Sequence, residues 1–507
     1  MSILGGIRNM VTKAAIKLLD IKPASDRKIV INEPLSHMAN VTRNRLWYRG
    51  EPSELDQFFK ATANQNDLVA KSRFWAATPS ADSNIRKIHS GLPAMIADKL
   101  RDIVVADIDK ISVENEDADK LWQEIAKENK FNDLIEDAII NTLVEGDGAF
   151  KISGDSDISK YPILEFFSGD RVDYKFNRGR LTNILFYTSY KKGSKDYVLE
   201  ENYGKNFIDY KLYLDGKEVP LTSIEETKDL EIATFSGDYI MAIPLKFFKS
   251  PKFENRGKSI FDNKSDAFDA LDEVISQWID AFRDGRVNKY IPDCLLPRNP
   301  ETGEIIKPNP FDNRYIATGS DAGEQAKNEI KTTQADINYE AYVESYAKAL
   351  DLCLQGIISP STLGIDLKKT DNAEAQREKE KTTLHTRGKM VDALTEVIPR
   401  LIDLVMKAND KINEKDSGDY EASIEFGEYA SPSFDAVVET VGKAKSYGLM
   451  SIEKCIDELY GDTMSDEDKE IEIQRIKEQN GMLEAEEPKV IDNLDDPEDV
   501  DLDGEEE

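Results

Sequence analysis

The sequence predicts an α+β fold that is mainly α, and three observations predict it. Apolar residues recur at spacings of three and four through most of the chain, the period of a helix buried along one face. Residues 149 to about 246 break that period. They read as short alternating or apolar runs separated by the turns Asn177-Arg178-Gly179-Arg180 and Leu214-Asp215-Gly216-Lys217. Between Ser265 and Ile357, two amphipathic segments flank an insert rich in Pro, Gly and Asn. That pattern describes a helical hairpin with something mounted on its tip, or with a plain loop there.

In chain order, residues 1–45 read as an N-terminal arm, one amphipathic segment and then a polar connection. Arg8, Lys13 and Lys17 interrupt its apolar start, so it is no secretory signal. It reads as a helix packed on its own protein in preference to one lying on lipid. Pro52 opens a short helix with Leu55, Phe58 and Phe59 on its apolar side. From Ser83 the spacing of Ile85, Ile88, Leu92, Ile96, Leu100 and Ile103 is helical. Two further helices are expected over Ala118 to Lys127 and Asn132 to Leu143. Gly146-Asp147-Gly148 then reads as a turn, because a phosphate-cradling loop needs a longer Gly-rich run ending in Lys-Ser or Lys-Thr. The alternating block after it predicts an antiparallel region, a small barrel or a curved sheet.

The first hairpin helix carries Phe268, Leu271, Ile275, Trp278 and Phe282 on one face, and Asp266, Asp269, Glu273, Asp280 and Asp284 opposite. The second repeats the design with Tyr339, Val343, Tyr346, Leu350, Cys353 and Ile357. After it, Thr370-Asp371-Asn372-Ala373-Glu374 is a helix start with Asp371 as cap. The helix runs toward Asn409, charged all round at first, apolar from Met390 on, with a kink expected at Pro399. Helices resume at about Phe434, and Ser465-Asp466-Glu467-Asp468 starts one of them. From Asp492 the chain is mostly Asp and Glu, a composition that predicts disorder.

Composition narrows the function. The net charge of −32 argues against a sequence-reading DNA binder, whose affinity is built from Lys and Arg. It still allows a surface that DNA must pass without sticking. No apolar run approaches the roughly 20 residues of a membrane span, so no membrane partner is expected. Cys294, Cys353 and Cys455 form no disulfide framework or CxxC motif. His37, His89 and His385 sit at no metal-ligand spacing. Without a Walker motif, HExxH or nucleophile elbow, the expectation is no enzyme, with no catalytic residue, no metal and no cofactor.

Three stretches together resemble one family. Leu46-Trp47-Tyr48-Arg49-Gly50 to Phe59 is similar to the Trp-Tyr-Arg-Gly segment of siphovirus-type phage portal proteins. Asn84-Ile85-Arg86-Lys87-Ile88-His89-Ser90-Gly91-Leu92-Pro93 resembles their next block. Gly356-Ile357-Ile358-Ser359-Pro360-Ser361-Thr362-Leu363-Gly364 resembles the Pro-x-x-Leu-Gly loop after their second stem helix. The order of elements matches along nearly the whole chain.

The resemblance implies a portal-like, ring-forming fold. Its wing would be residues 46–255, followed by a first stem helix within 256–287, a clip at 288–335 and a second stem helix at 336–357. A tunnel loop and long wing helix would occupy 358–433, a helical crown 434–490, and an acidic disordered tail 491–507. In the stem, Phe268, Leu271, Ile275, Trp278 and Phe282 of the first helix and Tyr339, Tyr342, Val343, Tyr346 and Leu350 of the second would pack between subunits and wing. A stem helix of about 23 residues would span about 35 Å. Lys368, Lys369 and Asp371 would face DNA in the channel. Ile305, Ile306, Phe311, Tyr315 and Ile316 would serve clip docking, with strand pairing between subunits as one use and burial within one subunit as the other. The implied partners are copies of itself in a ring, usually a dodecamer, passing double-stranded DNA, the large terminase subunit, a head–tail adaptor, and major capsid and scaffolding proteins. The implied location is the portal vertex of the virion, with the host cytoplasm during assembly. Two other classes remain open on the residues alone: a metal-dependent DNA-processing enzyme using clustered carboxylates, and a soluble helical scaffold or adaptor.

Overall fold

The computed structural model describes residues 35–63, 66, 68–78, 85–306, 315–319, 329–365, 373–416, 418–427, 434–460 and 464–479. The N-terminal segment before these and the acidic tail after them lie outside the described residues. Helix and sheet are mixed, and the chain divides into two compact units, Met1–Gly427 and Glu428–Glu507.

The first unit begins with α1, His37–Arg49. Ser36 caps it by accepting the Ala39 N–H at 3.2 Å, and Gly50 ends it in the left-handed region at φ 68°. This helix crosses the expected boundary between arm and wing at 45/46. Its buried face is polar, built from Asn40, Arg43 and Asn44 as well as Val41 and Trp47, so no apolar period marked it. Asn40 and Asn44 donate to Asp262 Oδ1 at 2.9 and 3.1 Å. Next come α2 (Pro52–Thr62), with Leu55 and Phe59 buried as expected, the single turn α3 (Leu68–Lys71) and α4 (Leu92–Ala106). Residues 85–90, expected to be helical, lie outside α4. Gly91 adopts φ 70° and Pro93 occupies the first turn, so the helix cannot extend backward.

Strand β1 (Ile108–Val113) leads into α5 (Glu116–Glu128) and α6 (Phe131–Glu145). Asn115 caps α5 with its side-chain oxygen. The expected antiparallel region forms two sheets. One has the order β10 (Ala242–Lys246), β2 (Asp147–Ser153), β3 (Ile163–Ser168). The other is a meander of β4 (Val172–Asn177), β5 (Arg180–Lys192), β6 (Lys195–Gly204), β7 (Phe207–Leu214) and β8 (Lys217–Val219), with β9 (Ala233–Thr234) on β7. Both predicted turns are hairpins, with Asn177 opposite Arg180 and Leu214 opposite Lys217. The meander is open, with β4 and β8 at its ends, so it is no closed barrel. Phe186 and Tyr203 fill the core beneath it, their rings 5.1 Å apart.

Helix α7 (Ser265–Asp284) and helix α8 (Tyr339–Leu354) form the hairpin. The insert between them holds β11 (Asn288–Pro292), β12 (Tyr315–Thr318) and β13 (Lys331–Thr333). Helix α9 runs from Ala373 to Ile412 with Pro399 inside it, and buries Met390, Leu394, Leu401 and Val405. It is followed by β14 (Ala422–Phe426), which pairs antiparallel with β1. The second unit contains α10 (Phe434–Ser446), α11 (Ile452–Tyr460) and α12 (Asp466–Gln479) around Val441, Cys455 and Ile456. Ser465 starts α12 as expected: its Oγ accepts the Asp468 N–H and donates back to the Asp468 carboxylate at 2.8 Å.

Two close approaches lock the chain entering α7 onto the sheet. Gly257 donates its N–H to Asp147 Oδ2 at 2.6 Å, and a Cβ at Gly257 would lie 1.9 Å from the Gly146 carbonyl oxygen. Beside this point Arg45 bridges Glu145 and Asp170, at 2.6 Å and 2.7 Å. Burial pushes the Glu145 carboxyl up from its ordinary 4.5 to about 7, against the opposing charge of Arg45. A carboxyl with a raised pKa binds its proton more tightly folded than unfolded. Its contribution is therefore full below pH 4.5 and lost as pH rises through 7. Glu145→Gln should remove this slope, so stability relative to wild type rises by on the order of 3 kcal/mol between pH 4.5 and 7. Urea denaturation at several pH values checks it, and parallel curves for the two proteins contradict it.

Candidate assembly surface

The hairpin is anchored at one end only. At the foot, Phe268 and Leu271 of α7 and Leu350, Cys353 and Leu354 of α8 are fully buried in the main core. Ile275 and Tyr346 are half-buried against the same core. Farther along, Trp278 and Tyr342 are half-buried. Beyond them Ile279 is 40% exposed, Phe282 63%, Val343 46% and Tyr339 64%. The apolar stripe read from the sequence is thus continuous, but the fold of one chain covers only its first half. The helices are shorter than expected. With 20 and 16 residues they span about 30 and 24 Å, because Asn338 caps α8 late by accepting the Ala341 N–H and Gln355 ends it.

The acidic face of α7 does not all point outward. The Asp269 carboxylate accepts the N–H groups of Phe74 and Trp75 at 2.9 and 3.0 Å. Burial raises its pKa, and those two hydrogen bonds oppose the rise. Asp272, fully buried, takes the Ser90 N–H at 2.9 Å, the Trp75 indole N–H at 3.1 Å and His89 Nδ1 at 2.7 Å. Ser276 accepts the Ile88 N–H at 2.9 Å. The backbone N–H groups of Ile88 and Ser90 thus go to α7 side chains instead of into a helix. Asp266 stays exposed, paired with Arg73 at 2.8 Å. Glu273 and Asp280 are half-buried, and the Asp284 side chain lies outside the described residues.

All three stretches that resembled portal sequences brace this foot. Trp47 donates its indole N–H to Ser265 at 3.1 Å, and its ring centroid lies 5.5 Å from that of Phe268. Lys87 binds Asp56 at 2.7 Å and the carbonyls of Trp75 and Ala77. On the far side, the Thr386 hydroxyl donates to the Ile357 carbonyl at 2.6 Å and Thr383 Oγ1 accepts the Ser359 N–H at 2.9 Å. Lys264 closes the hairpin by donating to the Leu352 and Gln355 carbonyls at the end of α8. Sequence reading missed Asp272, Ser276 and Lys264. Polar residues on a buried helix face leave no periodic signal.

The remaining candidates divide. Lys368, Lys369, Asp371 and Phe311 lie outside the described residues. Tyr315 and Ile316 belong to β12, which pairs in parallel with β11 of the same chain, Tyr315 opposite Lys289 and Ile316 opposite Tyr290. That strand pairing is internal to one chain, so it does not need the partner strand from another subunit. Ile305 forms an isolated bridge with Arg298, and Ile306 is exposed. Among the described residues no group of three or more His, Cys, Asp and Glu could hold a metal ion, and no helix is long and apolar enough to cross a membrane.

No family model matches the chain, and no curated protein matches it. Among solved structures, it is similar to a chain from the virion of a native gene transfer agent particle, at 12% identity and TM-score 0.38, covering 93% of this chain and 99% of that one. A chain from the neck of the native particle, computed with C12 symmetry, matches at 13% identity and TM-score 0.35, and one from the neck of the empty particle, with C6 symmetry, at 13% and 0.34. Each covers 75% of this chain and 89% of that one. Scores this low support no inference about this chain.

Removing the indole at the foot should loosen the whole hairpin. Trp47→Ala should cost about 3–5 kcal/mol in chemical denaturation. A loss below about 1 kcal/mol would show that the foot is not cooperative with the core.

Proposed function

We propose that this chain is the subunit of a portal ring. Copies close around an axial channel through which double-stranded DNA enters and leaves a phage-like capsid. The α7–α8 hairpin is the stem, and the insert at 288–335 is the clip that docks the large terminase subunit and later a head–tail adaptor. Capsid and scaffolding proteins contact the outer parts. The role is structural, and no chemistry is asked of the chain.

The carrying observation is the half-covered stripe. A hairpin rooted by buried carboxylates and aromatics, yet apolar and bare toward its tip, is a surface made for burial against something. A neighbouring hairpin of the same kind fits, since a ring presents the same stripe to each neighbour in turn. The acidic balance of the chain supports a wall that repels DNA and lets it slide. Negative-stain imaging of the purified protein tests the reading: rings with a central hole support it, and rods count heavily against it.

The face itself is tested separately. Phe282→Asp with Val343→Asp changes residues exposed in the single chain, so thermal stability should stay within a few degrees of wild type while ring yield collapses. Rings at wild-type yield would remove this face from the interface. The resemblance also assigns Lys368 and Lys369 a transient grip on phosphates, so changing both to Ala should leave rings intact and reduce packaged DNA. Unchanged packaging refutes that role.

A further inference from the structure

In a chain where acids outnumber bases by 98 to 66, a cleft lined by lysines that no carboxylate among the described residues pairs is out of character. One lies at the foot of the hairpin. It has a volume of 520 Å³, and Lys258, Lys264, His385 and Lys389 stand on its walls. Two segments supply them: the turn before α7 carries Lys258 and Lys264, and the middle of α9 carries His385 and Lys389, while Gln355, Gly356 and Ile357 after α8 close the remaining wall. Among the described lining residues the one acid is Asp262. Its carboxylate is already occupied, by the Asn40 and Asn44 amides on one oxygen and the Ser259 N–H on the other at 3.2 Å.

The lysines are therefore not neutralised from within. Lys87, Lys151 and Lys407 each sit against a carboxylate at 2.7 to 2.9 Å. Among the described residues Lys258, Lys264 and Lys389 pair with none. Lys264 is held in place by two carbonyls, at 2.7 and 2.8 Å. They orient its ammonium without cancelling its charge and leave it a third N–H. Burial lowers its pKa; the nearby Cys353 works against that, and the like charge of Lys258 adds to it. Three ammonium groups around one concavity repel each other until an anion enters.

We propose that this cleft binds a phosphate group. Three ammonium groups approaching from two segments suit a tetrahedral, multiply charged oxyanion better than a carboxylate with two oxygens and one charge. Lysine binds phosphate as a point charge and needs no planar fork. Thr382, on the same wall, adds a hydroxyl donor. The phosphate would join α9 to the start of α7, beside the bonds that Thr383 and Thr386 of α9 make to the chain after α8. The site is built within one chain and does not rest on ring formation.

The test is calorimetric titration of the full chain with inorganic pyrophosphate at low ionic strength. Wild type should bind saturably, one ligand per chain, and less tightly as salt rises. Lys258→Gln with Lys389→Gln should weaken binding about tenfold or more, with unchanged far-UV circular dichroism. Lys195→Gln with Lys217→Gln, on exposed strand ends, should leave it unchanged. A short DNA duplex added as competitor separates the sources. Displacement of pyrophosphate that vanishes in the Lys258/Lys389 variant identifies backbone phosphate as the ligand, and no displacement identifies free phosphate. Absence of saturable binding to wild type, or equal binding by wild type and the Lys258/Lys389 variant, overturns the proposal.

Discussion

Everything at the foot of the hairpin depends on two carboxylates one turn apart on α7. Asp269 and Asp272 between them accept three backbone N–H groups, an indole N–H and an imidazole nitrogen. Ionised carboxylates can be buried when they are this thoroughly hydrogen-bonded, and only then. The consequence is long-range. Residues 74–78 and 85–90, which lie outside helices and strands, are fixed to a helix nearly two hundred positions away. Helix α4 starts where it does because Gly91 and Pro93 follow immediately upon that attachment.

A root of this kind makes the hairpin stiff at one end and undetermined at the other. Trp47, Phe59, His89 and Phe268 close around the base with ring separations of 5.5 to 5.6 Å. Losing any one of them opens space that the others cannot fill. Toward the tip the same helices present Ile279, Phe282, Val343 and Tyr339 to solvent. Sequence periodicity cannot distinguish these two halves, because it reports which face is apolar and not what covers it. The structure divides the stripe into a part the chain covers and a part it leaves exposed.

That division shows what was legible in the sequence. Long periodic segments were: both hairpin helices, α5, α6 and the apolar half of α9 lie where their spacing put them. So were the turns with Gly at a fixed place, at 177–180 and 214–217. The polar parts were not. Helix α1 buries Asn40, Arg43 and Asn44, residues that read as a solvated connection. The 85–90 segment has helical spacing, but the N–H groups of Ile88 and Ser90 go to side chains of α7. Strand β14, Ala422–Phe426, is five residues long and pairs with β1 more than three hundred positions earlier, a contact no local pattern encodes. Of the residues read for apolar spacing, Phe268, Leu271 and Leu350 are buried and Phe282, Val343 and Tyr339 exposed, whereas Asp272 and Lys264 act through hydrogen bonds that composition does not announce.

The charge of the chain acquires a structure of its own from this. A net charge of −32 suggests a uniformly acidic object, yet the acids nearest the root are consumed as acceptors and contribute little to the outer field. The acids on α8, Glu340, Glu344 and Asp351, lie along its exposed side, with Glu344 shared with Lys348 at 2.8 Å. Lys258, Lys264 and Lys389, which pair with no carboxylate among the described residues, line the cleft below. A helix pair with exposed acids along its length and a cationic hollow at its foot sets up a gradient of potential along one element. On the portal reading, DNA would meet repulsion along the stem and attraction only near the wing, an arrangement that permits sliding and confines grip to one level of the channel.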